Sequence, residues 1–307
     1  MKKYKPYLNR VDLVKNQVER EELREQEAKR KRSRRIQEQN RQRWLKYQEQ
    51  LRSELAARYF HSVQSVGGEE AFNTYSVAFD GTDDHVDCGN DSSLQPTDEF
   101  SVSAWFKSAV VGNSTNNFIW SKLYFRLLIL PTSGRIGFIV HRSAGQSTAR
   151  YTPDDGTSYS DGNWHHVVAT FKKNDPAAAS YKIYVDGELK VDAGGYNSNV
   201  FASSDSFKIG AKNVSGTTGM NGNIDEVAFW KTKLTLTDVQ NIYNDGVPND
   251  ISSYNPISWW RMGDNDGGTG TTVTDQGSAG NNGTLINDAV FEENTPSYLV
   301  SVVSYGY

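Results

Sequence analysis

Apolar positions along this chain change their period twice. From Val11 to Phe60 neither Gly nor Pro interrupts a run dominated by Glu, Gln, Arg, Lys and Leu, which predicts one long helix over residues 1–60, opening near Pro6. Roughly 50 residues at the helical rise make a rod about 75 Å long. Its apolar stripe is broken: Leu8, Val11, Val14 and Val18 form one patch, and Trp44, Tyr47, Leu51, Leu55 and Tyr59 form a second at spacings of three and four. Between them, residues 24–43 offer only Ala28 and Ile36. Pairs such as Glu25 with Lys29 and Glu27 with Lys31 add a few tenths of a kcal/mol each, about 0.2 to 0.5. A helix so supported is marginal alone, so the second patch is expected to dock on another protein.

After a linker over 61–73, with Gly67-Gly68 as its flexible point, the period becomes two. Tyr75, Val77 and Phe79 alternate up to Asp80-Gly81, and the pattern resumes at His85 to Cys88, which predicts a hairpin. Phe100 to Phe106, Phe118 to Trp120, Leu123 to Leu130, Arg135 to His141 and Trp164 to Phe171 follow as strands. Tyr181 to Val185 and Leu189 to Val191 flank Asp186-Gly187, a type I′ turn signal. In Ile224 to Trp230 simple alternation puts Ile224, Glu226, Ala228 and Trp230 on one face and Asp225, Val227 and Phe229 on the other. The period then returns to helical, with Thr237 as expected N-cap, Gln240 at the capping-box position and Gly246 as the terminating glycine. Short strands at regular spacing predict a mainly β, two-sheet antiparallel jelly-roll sandwich over 74–291, preceded by the long N-terminal α-helix.

The phrases SVAFDGTDDHVDCGN, FSVSAWFK, DGNWHHVVATF, YKIYVDGELKVD, FKIGAKN and NGNIDEVAFWKTKLTLTDVQNIYNDG, taken in order, resemble a laminin-G-like domain of the concanavalin A-like lectin superfamily. The resemblance implies a jelly roll whose members commonly bind glycans or proteins. SWWRMGDNDGGTGTTVTDQGSAGNNGTL looks like the strand and loop that usually open such a domain, here placed after its end; it implies a permuted closing segment over 255–291, with Trp259 or Trp260 in the core. Residues 292–307 are left as a tail or interface strand. The combination resembles virion proteins of marine tailed phages, and implies a virion location with capsid, portal or tail proteins as partners.

Charge divides the chain. The overall formal charge of -4 is the sum of +9 over residues 1–60 and -13 over residues 61–307, and opposite signs imply different surroundings. Lys29, Arg30, Lys31, Arg32, Arg34 and Arg35 form a basic patch that fits an acidic protein surface or a solvated helix face; without interleaved aromatics it fits nucleic acid less well. The start has basic residues without an apolar stretch, so Sec-type export is not expected, and no run reaches the roughly 18 apolar residues a membrane span needs. A single cysteine, Cys88, excludes an internal disulfide framework.

Candidate chemistry is sparse. A retaining glucanase needs two carboxylates roughly 5 to 5.5 Å apart, and no E-x-D-x-x-E phrase supplies them; no enzyme activity is expected. Asp225 and Glu226 are expected on opposite strand faces. The adjacent His165 and His166 are likewise expected to point apart and so not to share a metal. Calcium is the one possible cofactor, at Asp83 and Asp84 or at Asp264 and Asp266, although turn chemistry explains these residues equally well. Tyr151, Tyr159 and Tyr196, placed in loops, are candidates for stacking on sugars. The expectation is a non-enzymatic virion structural protein, a tail fibre, appendage or capsid decoration, docked by its helix and displaying the lectin-like domain. The alternatives are a module recognising host surface glycan, a homo-oligomer, and contact of the basic helix with packaged DNA.

Overall fold

The computed structural model describes Lys46 and residues 73–296, apart from 97, 110–116, 144–145, 176–179, 195–197, 199, 201 and 213–218. The expected docking residues Trp44, Tyr47, Leu51, Leu55 and Tyr59, the basic patch Lys29 to Arg35 and the tail beyond 296 lie outside these. Among the described residues no helix is long and apolar enough to cross a membrane.

The strands in chain order are β1 (Ser76–Asp80), β2 (His85–Asp87), β3 (Glu99–Lys107), β4 (Asn117–Lys122), β5 (Phe125–Ile129) and β6 (Ile136–Ser143). There follow β7 (Gln146–Tyr151), β8 (Trp164–Lys172), β9 (Tyr181–Val185), β10 (Glu188–Ala193), β11 (Lys208–Ile209) and β12 (Asn221–Trp230). Helix α1 (Leu236–Tyr243) precedes β13 (Ser258–Trp260), β14 (Thr272–Val273), β15 (Gly283–Ile286) and β16 (Val290–Glu292). They form two antiparallel sheets, a jelly-roll sandwich. The first runs β10-β9-β8-β3-β12-β1-β16 with β13 added to β12, and the second β14-β15-β2-β11-β4-β5-β6-β7.

Inward-facing residues of the two sheets meet in one aromatic core. Phe100 packs 4.9 Å from Phe125 and lies near Phe138, Phe171 and Phe229, ring centroid to ring centroid. Phe207 stacks on Trp120 at 6.0 Å and on Trp260 at 5.5 Å, so the last third of the chain fills the same core. Trp260 is fully buried, while its neighbour Trp259 packs with Val168, Trp230 and the α1 residues Val239 and Ile242 on the other side of the first sheet. Cys88 is buried in the main core, and burial pushes its thiol well above the usual range.

Three local expectations are corrected. Strands β1 and β2 do not pair with each other: β1 pairs with β12 and β16, whereas β2 pairs with β11 and β15. The Asp80-Gly81 turn therefore carries the chain from one sheet to the other, held by Asp84, whose carboxylate accepts from the backbone N–H of Asp80 and of Asp288. Helix α1 is capped by Thr235 and not Thr237, and the capping box is closed by Asp238 and not Gln240. The side chains at Thr235 and Asp238 satisfy the orphan N–H groups two residues earlier than the apolar stripe suggests, and the chain leaves the helix through a left-handed Asn244 (φ 46°) before reaching Gly246. The third correction is in β12. Its pairing with β3 slips between Asp225 and Ala228, and Glu226 takes φ 48°, a β-bulge that turns Ile224, Val227 and Phe229 together into the core.

Since Trp260 joins the core of both sheets, Trp260→Ala is expected to cost about 3 to 5 kcal/mol. Chemical denaturation should show this as a lower midpoint with one cooperative transition; a change within error would separate the closing segment from the core.

Candidate functional site

The bulge gathers carboxylates. Asp225 and Glu226 do not diverge as simple alternation requires but enter one buried polar cluster outside the main core. The Glu226 backbone N–H donates to Asp225 Oδ1 at 2.7 Å, and Asn73 Nδ2 donates to Asp225 Oδ2 at 2.9 Å. Glu226 accepts from Trp259 Nε1 at 2.6 Å and Arg261 Nε at 3.1 Å. Arg261 also pairs with Asp264, which in turn accepts the backbone N–H groups of Thr74 and Tyr75. Glu226 and Asp264 thus share one guanidinium, and Asp225 lies beside them without a cationic partner of its own among the described residues. Burial pushes Glu226 up to about 7 and Asp225 well above its ordinary value, the repulsion between the two adding to Asp225.

The other acidic candidates separate. Asp266 accepts from the N–H and hydroxyl of Thr274, so it and Asp264 are each committed to different backbone segments. Asp83 and Asp84 do come together with Asp80, the three ligand oxygens lying within 4.8 Å of one another. That donor set suits a hard cation, but Asp84 already satisfies two backbone N–H groups and Asp80 caps the Thr82 N–H. Turn closure accounts for the cluster as it stands.

His165 and His166 point to opposite faces. His165 packs on Phe106 and Tyr159 and bridges Asp186 and Asp161 at 2.8 and 3.2 Å. His166 bonds Ser103 Oγ at 2.8 Å beneath Trp105 and Tyr243, and burial pushes it down to about 4.

Tyr151 is not in a loop but ends β7, a polar edge strand whose sequence, QSTARY, lacks the apolar alternation that reveals the others. Tyr159 is buried and Tyr196 lies outside the described residues. On the second sheet Phe125, Leu127, Ile129, Ile136, Phe138 and Val140 face the core. The alternating positions form two rows across the outer face. Pairing aligns Phe118, Leu128, Gly137 and Tyr151 in one row, and Ser121, Arg126, Ile139 and Ala149 in the next. The Tyr151 ring lies across Gly137: a Cβ there would meet Tyr151 Cε1 at 2.7 Å. Tyr151 remains 39% exposed, with the Arg135 guanidinium 5.9 Å from its centroid. Beside it Arg126 Nη2 lies 3.3 Å from His141 Nε2. An aromatic plate laid flat on a sheet, with planar polar side chains next to it, can take the apolar face of a sugar ring and bond its hydroxyls.

A family model for the concanavalin A-like lectin/glucanases superfamily, laminin-G type, matches residues 80–240, just over half of the chain. The chain belongs to this superfamily. Among solved structures, a Bacteroides ovatus protein provisionally described as carbohydrate binding superimposes with a TM-score of 0.56 at 17% identity, over 75% of this chain and 62% of that one. This chain thus spans under two thirds of that protein's length. Looser likenesses include a heptameric pentraxin of Limulus polyphemus (TM-score 0.42, 14% identity, 57% of this chain and 84% of that one). Another is domain 4 of the arabinanase AbnA of Geobacillus stearothermophilus, solved with arabinotriose (TM-score 0.38, 18% identity, 49% and 69%). At 17% identity the first of these likenesses shows the fold alone. No curated protein matches the chain.

The acid cluster makes stability depend on pH with a definite sign. Carboxyls whose folded pKa is raised bind protons in the folded state that the unfolded chain has released, so the cluster's contribution to stability is fully present below about pH 4.5 and is lost as pH rises to about 7. Asp225→Asn removes the excess charge and offers a donor near Asn73, whose Oδ1 is buried without a partner. Thermal melts should show the variant more stable than wild type at pH 8, with the difference shrinking at pH 5. A variant less stable at pH 8 would show that Asp225 is held as a needed anion.

Proposed function

We propose that the domain is a glycan-binding module whose contact surface is the outer face of the second sheet, around Tyr151, Arg126 and His141. The observation that carries this reading is the Tyr151 ring, kept flat by Gly137 and left exposed in a row of otherwise buried residues. Leu128 in the same row is 2% exposed, so the plate stands on a rigid base and loses little freedom on binding. Arg126 has more donors than its two bonds, to Leu123 O and His141, use. The reading is of binding without turnover. Asp225 and Glu226 are engaged by Asn73, Trp259 and Arg261, which supports structural work for them rather than acid–base chemistry.

The charge division favours a second, compatible reading. A segment of net +9 followed by a part of net -13 suits an anchor on an acidic particle surface and a domain displayed away from it. We infer a virion structural role, in a fibre, appendage or capsid decoration, with other virion proteins as partners.

A glycan array probed with the full chain is expected to show selective binding that Tyr151→Ala weakens about tenfold or more, a loss of at least ~1.4 kcal/mol, with little change in melting temperature. Loss of fold in the variant, or binding unchanged, would remove Tyr151 from the site. For the second reading, deleting residues 1–60 should abolish incorporation into particles while the β domain stays folded; normal incorporation would refute anchoring by that segment.

A further inference from the structure

On the first sheet, away from the proposed glycan face, α1 and the turns that follow it close over the β9–β10 hairpin to form a cleft of about 650 Å³. Its charged lining is all of one sign. Asp186 and Glu188 come from the hairpin and Asp245 and Asp250 from the turns after the helix, with no Lys, Arg or His among the lining residues. Asp186 and Glu188 have partners in His165 and Lys190; Asp250 caps the backbone N–H of Ser252 at 2.8 Å, and among the described residues neither it nor Asp245 has an ion-pair partner. An uncharged acceptor adds to the demand: Asn249 Nδ2 donates to Asn241 O, and its Oδ1 is buried without a partner.

Two tyrosines complete the wall. Tyr243 lies over Gly187, where a Cβ would meet its Cδ1 at 2.8 Å, and stacks on Trp105 at 5.7 Å, so the ring is fixed from behind. Tyr254 is held by the Trp230 Nε1 bond to its carbonyl. The rim passes through three successive left-handed residues, Asn244 at 46°, Asp245 at 53° and Gly246 at 97°. Two of these are not glycine, and such conformations concentrate at binding sites, where surrounding contacts maintain them.

A cleft of carboxylates with no Lys, Arg or His in its lining, walled by two tyrosines, describes the complement of an organic cation. We propose that this cleft recognises ammonium or guanidinium groups carried on lysine or arginine side chains of a protein partner. The volume exceeds what one cationic group fills, which favours a peptide over a lone amine. The -13 charge of residues 61–307 steers such a partner inward. This site is independent of the glycan face and goes beyond the role proposed above.

The test is calorimetric titration of the full chain with tetra-arginine, and separately with spermidine. The double variant Asp245→Asn, Asp250→Asn keeps the left-handed backbone and the Ser252 cap, since Asn serves in both positions. It should weaken tetra-arginine binding about tenfold or more, while Glu293→Gln, which removes an exposed charge elsewhere, should change it less than about twofold. Tetra-arginine binding more tightly than spermidine supports a protein partner; spermidine binding as tightly overturns the peptide assignment. No tetra-arginine binding, or equal losses in the cleft and control variants, overturns the site.

Discussion

The buried charge imbalance at the β12 bulge is the constraint on which the rest of the structure depends. β12 lies between β1 and β3 and also carries β13, so it is bonded to three strands. A strand so placed cannot shift without unpairing the first sheet. The extra residue at Asp225-Glu226 lets Ile224, Val227 and Phe229 all face inward, and the resulting kink places two carboxylates where water does not reach them. They are tolerable only because Arg261, Trp259 and Asn73 answer them. Those partners come from opposite ends of the domain, so neutralising the bulge also ties the entry of the first strand to the closing segment. Removing one partner would strand a buried charge, which costs far more than the pair contributes when intact.

With one sheet locked in this way, the other is available to present a surface. Its inner face shares the aromatic core, and its outer face needs no covering layer across β5, β6 and β7 because Arg126 and Tyr151 lie on it and end in polar groups. Gly137 is the enabling residue: any side chain there would lift the Tyr151 ring off the sheet. A plate with fixed support and adjacent planar donors has little entropy left to lose, as the proposed glycan face requires.

The alternating strands and the short helix were legible in the sequence because their burial follows the period of the element. Phe100 to Phe106 and Tyr181 to Val185 read as strands and are strands. Asp186-Gly187 has the two positive φ values, 51° and 75°, that its turn type requires. What period cannot reveal is a residue that breaks it. The bulge at Glu226 left no trace beyond an acidic pair, and the face assignment after it reversed. The Asp80-Gly81 turn looked like a hairpin because a hairpin and a crossing between sheets share the same local chemistry; only the long-range bonds from Asp288 and the pairing of β2 with β15 distinguish them. Tyr151 was visible as an aromatic candidate but not as a strand residue, since an edge strand with one face in solvent carries few apolar positions.

We propose that the outer face of the second sheet holds glycan. The most direct measurement is a crystal structure of the chain soaked with the best ligand from a glycan array. A sugar ring is expected to stack on Tyr151 with hydroxyls within hydrogen-bond reach of Arg126 or His141. A well-ordered sugar seated elsewhere, with the Tyr151 face bare, would contradict it.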